Sequence, residues 1–334
     1  MEQRQFTAPG PVLDGAGRPR AGYSTRSLLR YDRRAIHASP LRIKEWDFYQ
    51  ISDGEKCLQF TLGHASYAGQ VGIMFFDFVK GQWLARFDKL LVLPFDRLRM
   101  PSDAERDQTL TYDSGGIFMQ YQTRGDTRAL RCRKGDFDAE VTLTRENPNS
   151  LVINVPFAEK PTQFYYNQKI NCMRADGRVR AGGREYRFDP AESFGLLDWG
   201  RGVWPFHNEW YWSNGTGLVG GEVFGFNLGC GFGDVSAATE NMLFWRGGAH
   251  KLGRVAIRHE QDYLAPWHLT DEEGRLDFVM TPTFDRTTQT KVLFIDNCCH
   301  QVFGRFDGTA VLDDGTRLAV QGLPAFAEHA VNNW

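Results

Sequence analysis

Proton chemistry on an apolar molecule needs an acid, a relay and aromatic surface, and one region of this sequence gathers all three. The stretch DWGRGVWPFHNEWYW (Asp198–Trp212) holds four of the nine tryptophans, with Asp198, Arg201, His207 and Tyr211 among them. A little further on comes Thr239-Glu240-Asn241. Hydration, isomerisation or cyclisation of an alkene requires a strong proton donor and a place for a developing cation. A carboxylic acid in an apolar pocket has its pKa raised and stays protonated near neutrality. Aromatic faces then stabilise the cation. Glu240 is the acid this pattern favours. Asp198 is the second candidate, and His207 and Tyr211 can relay a proton or hold a water.

The tryptophans Trp204, Trp210 and Trp212 are the expected wall of such a pocket. Arg201 and Asn241 are its expected polar contacts, together with Asn167 and Lys169 from YYNQK. Each has a plainer reading. Asp198 and Arg201, three apart and opposite in charge, are expected to pair and pin a corner where the chain enters a barrel. Lys169 either reaches solvent along its stem or meets Asp198 or Glu240. His207 can be a hydrogen-bonded structural histidine. Strand parity puts Trp210 and Trp212 on one face, Glu209 and Tyr211 on the other. If the tryptophans face the lumen, His207 and Tyr211 do not.

Short strands must carry these residues. Val223–Gly233 alternates strictly, Phe224, Phe226, Leu228, Cys230 and Phe232 against glycines and Asn227. The glycine face allows sharp coiling or the close approach of another group. Elsewhere, alternating segments are separated by turn signals such as Asp53-Gly54, Lys80-Gly81, Arg124-Gly125 and Lys134-Gly135. Helical periodicity is confined to Arg26–Ile36, Pro101–Gln108 and Leu323–Val331. The predicted fold is all-β, with two tandem antiparallel lipocalin-like (calycin) β-barrels and few short helices. Residues 1–40 form an N-terminal arm, 41–161 the first barrel and 162–334 the second. Closure removes exposed strand edges, and a barrel of eight to ten strands can enclose a small ligand. No repeat of propeller length is present.

Several classes are excluded. A net charge of −2 gives no bulk attraction to nucleic acid. No apolar run approaches the roughly 18 residues of a membrane span. GTGLVG (Gly215–Gly220) matches a dinucleotide motif, but a strand rather than a helix follows it. Cys298, Cys299 and His300 alternate in facing, and His250, His259 and His268 are oddly spaced, so no metal is expected. The six cysteines lack a CxxC and read as free thiols. The first residues have no apolar core of a signal peptide, which points to a cytoplasmic protein, and with the dinucleotide and metal motifs set aside no cofactor is expected.

KEWDFY (Lys44–Tyr49), YYNQKINCM (Tyr165–Met173), LDWGRGVWPF (Leu197–Phe206), WYW (Trp210–Trp212), NLGCGFGD (Asn227–Asp234) and TEN (Thr239–Asn241) resemble one bacterial family, that of domain of unknown function 2804. The resemblance extends from about Arg26 onward, and the Asp-Trp-Gly-Arg-Gly run is its most specific element. That family is distantly similar to the carotenoid hydratase and lipocalin-like (calycin) group. The resemblance implies two tandem calycin barrels and hands over no catalytic residues.

Three function classes follow. One is a cofactor-independent enzyme acting on a hydrophobic small molecule by acid-assisted hydration, isomerisation or lyase chemistry. Another is a non-catalytic carrier or sensor of a lipid-like ligand. A scaffold whose aromatic cluster seals two barrels together is the third. An enzyme requires an ionisable group of shifted pKa in an apolar cavity, and a scaffold requires a solid cluster.

Overall fold

The computed structural model describes residues 2–292 and 295–333. Alternating residues become antiparallel strands almost throughout, and no α-helix occurs among the described residues. The predicted hairpin glycines Gly54, Gly81, Gly125 and Gly135 all adopt positive φ, which tight turns between strands demand. Two curled half-barrel sheets result, in a lipocalin-like arrangement. The first is 13-stranded, and its central strands are Lys44–Ser52, Phe194–Val203 and Lys160–Ala181. The second is 9-stranded, with His207–Val219, Arg317–Asn333 and Ile295–Val311 at its centre.

The expected division after residue 161 falls inside the strand Lys160–Ala181, which belongs to the first sheet. The chain changes sheet at residues 204–206. Two of the three expected helical segments are not helical. Leu323–Val331 lies in the strand Arg317–Asn333, hydrogen-bonded on both sides, and two ladders override helix propensity. Pro101–Gln108 is a turn in which the Asp103 carboxylate accepts from the Glu105 and Arg106 amides. Arg26–Ile36 keeps only a 3-10 turn at Arg33–Ala35, preceded by the two-residue strand Leu29–Arg30.

Each sheet buries its own apolar core on one face. Phe60, Ile73, Leu143 and Trp199 belong to the first core, Phe226, Trp267, Phe278 and Phe306 to the second. The opposite faces of the two sheets meet each other. Leu196, Phe76, Phe303, Phe326 and Trp212 pack at one contact, and Tyr165, Trp204 and Phe232 at another. The N-terminal arm crosses both sheets. Phe6, Val12 and Leu29 join the first core, while the Gln3 side chain bonds Thr239 and the Leu252 carbonyl of the second half.

Candidate active site between the sheets

The facing rule of a strand decides which side chains reach the space between the sheets. In Phe194–Val203, Leu197, Trp199, Arg201 and Val203 turn to the first core, and Leu196 and Asp198 turn to the second sheet. Gly200 lies on the same side as Asp198, where a Cβ would fall 2.0 Å from the Trp46 ring. Its missing side chain therefore seats an indole. From the strand His207–Val219, Trp210 and Trp212 come forward. Tyr165 and Lys169 do so from Lys160–Ala181.

These residues line a cavity of about 530 Å³ between the two sheets, in neither barrel's lumen. Its aromatic wall is continuous. Phe232 makes edge-on contacts with Tyr165 (4.9 Å), Trp210 (5.2 Å) and Trp204 (5.7 Å), and Trp46 meets Trp204 at 5.2 Å. The Trp212 Nε1 donates to Asn227 at 2.7 Å, which fixes the indole.

Glu240 lines the same cavity. Two features let it lie against the strand Glu222–Cys230. Asn227 Nδ2 holds the Glu240 carbonyl at 2.7 Å. Gly229 leaves the space the acid occupies, since a Cβ there would fall 2.3 Å from Glu240 Oε1. The glycine face thus admits a carboxyl group at close approach. Burial pushes the Glu240 pKa up to about 7, opposed by Lys169 and Lys251 and reinforced by Asp198. The residue keeps partial exposure, and the surface it exposes faces the cavity it lines.

Asp198 pairs with Lys169 at 2.9 Å and accepts from Asn167 at 2.5 Å. Both contacts fall on Oδ1, so Oδ2 has no hydrogen-bond partner among the described residues. The Lys169 ammonium also sits 4.0 Å from the Trp212 ring centroid. The expected Asp198–Arg201 pair is not formed. Their odd spacing sends them to opposite faces, and Arg201 pairs instead with Asp47 at 2.9 Å. It lies 4.0 Å from the Trp199 ring centroid and bonds the Trp46 and Pro101 carbonyls.

Four further expectations for the pocket meet a different placement. His207 is exposed and contacts Asn333. Tyr211 faces the second core and stacks on His329 at 4.4 Å. Asn241 is structural, accepting from the Gly229 amide and donating to the Gly253 carbonyl. Asn167 acts through Asp198 and does not line the cavity. Sequence reasoning missed Trp46, Phe48, Tyr165 and Phe232, which alternation within their own strands could have exposed. It also missed Glu328, Gln301 and Arg286, which come from three consecutive antiparallel strands of the second sheet.

Other ionisable groups complete the lining. Glu328 accepts from Trp210 Nε1 (2.9 Å) and Gln301 Nε2 (3.0 Å), and burial raises its pKa. Burial lowers Lys44 to about 7, with Arg42 adding to the effect. Glu45, His64 and Asp96 bring possible metal-ligand atoms within 4.8 Å of one another. The Arg33 guanidinium already occupies that position, 2.5 Å from Glu45 and 3.8 Å from Asp96.

An all-β chain whose two half-barrels hold an aromatic, carboxylate-bearing cavity between them has the lipocalin-like architecture expected of it. The chain belongs to the family described as domain of unknown function (DUF2804), whose model matches residues 3–334. No curated protein sequence matches it. Among solved structures it is similar to a Nitrosomonas europaea protein assigned as AttH, at 13% identity and TM-score 0.58, covering 97% of this chain and 99% of that one. Kievitone hydratase from Nectria haematococca is similar at 10% identity and TM-score 0.51, over 87% and 88% of the two chains. So is CghA with Sch210972, at 11% identity and TM-score 0.51, over 97% of each. At these identities the likeness speaks for the fold.

Proposed function

We propose that this protein binds a hydrophobic small molecule between its two sheets and catalyses a cofactor-independent hydration, isomerisation or lyase reaction, with Glu240 as the acid. The observation that carries the reading is a carboxyl group with its pKa raised to about 7 in an aromatic cavity of about 530 Å³. That volume lies within the roughly 300–1,000 Å³ typical of small-molecule sites. One structural neighbour, kievitone hydratase, is by its name an enzyme of this class.

The cycle closes without a further reagent. Neutral Glu240 gives its proton to one alkene carbon, and the positive charge develops on the other. The faces of the aromatic wall stabilise that charge. In hydration, water adds to the cation and returns a proton to the Glu240 carboxylate. In isomerisation, a neighbouring C–H bond supplies that proton. Lyase chemistry is hydration reversed. A carrier would need polar groups only at the mouth, whereas Glu240, Asp198 and Glu328 all line the cavity.

The test starts from the apolar ligand retained by freshly purified protein, identified by native mass spectrometry. Incubation in D₂O should place deuterium at the protonated carbon with the wild type and not with Glu240→Gln, while both bind the ligand. Equal exchange by both proteins removes Glu240 as the acid. Binding without any exchange favours the carrier. If no ligand is retained and an uncharged fluorescent apolar probe fails to bind, the cavity is not a ligand site.

A further inference from the structure

Arg286 lies within the strand Leu276–Val292 and lines the cavity while only 7% exposed. Its Nε donates to Gln301 Oε1 at 2.9 Å, and Nη1 lies 3.1 Å from the Met74 sulfur. Nη2 has no hydrogen-bond partner among the described residues. No carboxylate among them lies within 4.0 Å of the guanidinium. A buried arginine without an ion pair carries a large desolvation cost, and such charges are ordinarily matched. Guanidinium geometry suits an oxyanion, which it can grip with two parallel N–H groups.

The neighbours narrow the choice of anion. Gln301 is held on both sides, by Gln59 Nε2 at 2.7 Å and by its own bond to Glu328 Oε2 at 3.0 Å. It therefore fixes the arginine and leaves the guanidinium tip to the cavity. Glu328 is close enough to interact electrostatically with both Arg286 and Lys169. Cys299 and Met74 supply the remaining nearby surface. One cation beside a carboxylic acid residue suits a single negative charge better than the double charge of a phosphate.

We infer that Arg286 is the anchor for a carboxylate on the ligand, so that the molecule taken up is a hydrophobic carboxylic acid. Its acid group meets Arg286, and its apolar body runs along Trp212 and Trp210 toward Glu240. This rests on reading the cavity as a ligand site and specifies the ligand class. Arg86, exposed at the cavity lining on the strand Gln82–Val92, adds a further positive charge, with Asp88 on the same face of that strand.

The probe is the fluorescent polyene cis-parinaric acid, titrated beside its methyl ester at neutral pH and physiological salt. The wild type should bind the acid at least about tenfold more tightly than the ester. Arg286→Met should bind both alike, with ester affinity within about twofold of wild type, which also certifies an intact cavity. Arg286→Lys should keep part of the preference. No acid preference in the wild type, or an undiminished preference in Arg286→Met, overturns the assignment. If Arg286→Met loses the ester too, Arg286→Gln takes its place under the same criterion. If neither compound binds the wild type, the ligand-site reading falls first and this inference with it.

Discussion

Replacing Glu240 by glutamine removes an ionisable group that burial holds neutral, and the consequence is measurable without any substrate. Moving a carboxyl pKa from 4.5 to about 7 corresponds to roughly 3 kcal/mol, at about 1.4 kcal/mol per tenfold change. The sign follows from proton binding. Because the folded pKa is the higher one, the folded state holds the proton more tightly. Its stabilising contribution is complete below pH 4.5 and is lost as pH rises through about 7. Wild type should therefore lose about 3 kcal/mol from this group between mildly acidic and mildly alkaline solution. Glu240→Gln cannot ionise and should lack that component. Urea unfolding of both proteins across that range gives the two curves, and their difference isolates the residue. Catalysis, if Glu240 is the acid, should fall by about 10² to 10⁴ in the variant. Parallel stability curves for wild type and variant would refute the shifted acid, and with it the proposed mechanism.

Four sites give sharper controls. Gly229→Ala would put a Cβ 2.3 Å from Glu240 Oε1, and the atoms that yield are the mobile end of that side chain. It should fold with a loss of about 1–3 kcal/mol but lose the pH-dependent component just described, read by the same unfolding series. His207→Ala and Tyr211→Phe should each leave turnover and ligand affinity unchanged, since neither side chain lines the cavity. Arg201→Met leaves Asp47 and two carbonyls unpaired in the first core, and should cost about 3–5 kcal/mol in urea unfolding.

Much of this site was present in the sequence as alternation, and the errors came where another cue was allowed to outrank it. Asp198 and Arg201 are oppositely charged and near neighbours, which argues for a pair. They are also three residues apart, and in an extended strand that spacing puts them on opposite faces. Parity wins because a strand has no freedom to turn one side chain around. The same rule separated Trp210 and Trp212 from Tyr211. Leu323–Val331 failed for a different reason. Its three alanines and Glu328 have helical propensity, but ladders to His207–Val219 and Ile295–Val311 hold the segment extended. With it went Glu328, which only an extended backbone turns toward the cavity. The cavity's position was beyond local pattern altogether. Lys44–Ser52 pairs with Phe194–Val203 across nearly half of the chain, and nothing local encodes that register.

Five acidic residues line the cavity; Asp88 is exposed on the strand Gln82–Val92, and the surroundings of the other four separate the proton donor from the rest. Glu45 is bound by Tyr31 and Arg33, Asp198 by Lys169 and Asn167, and Glu328 by Trp210 and Gln301. Glu240 has burial as its dominant influence, with Lys169 and Asp198 acting on it in opposite directions. That opposition yields a paired prediction. Asp198→Asn removes a repelling negative charge and leaves Lys169 without its ion-pair partner. Both effects favour the Glu240 carboxylate, so its pKa should drop and the alkaline limb of activity should move to lower pH. Lys169→Met removes the attracting positive charge, so the same limb should move to higher pH. Opposite displacements are the signature of Glu240 titrating within this triad. If both substitutions move the limb the same way, or neither moves it, the titrating group that governs activity lies elsewhere.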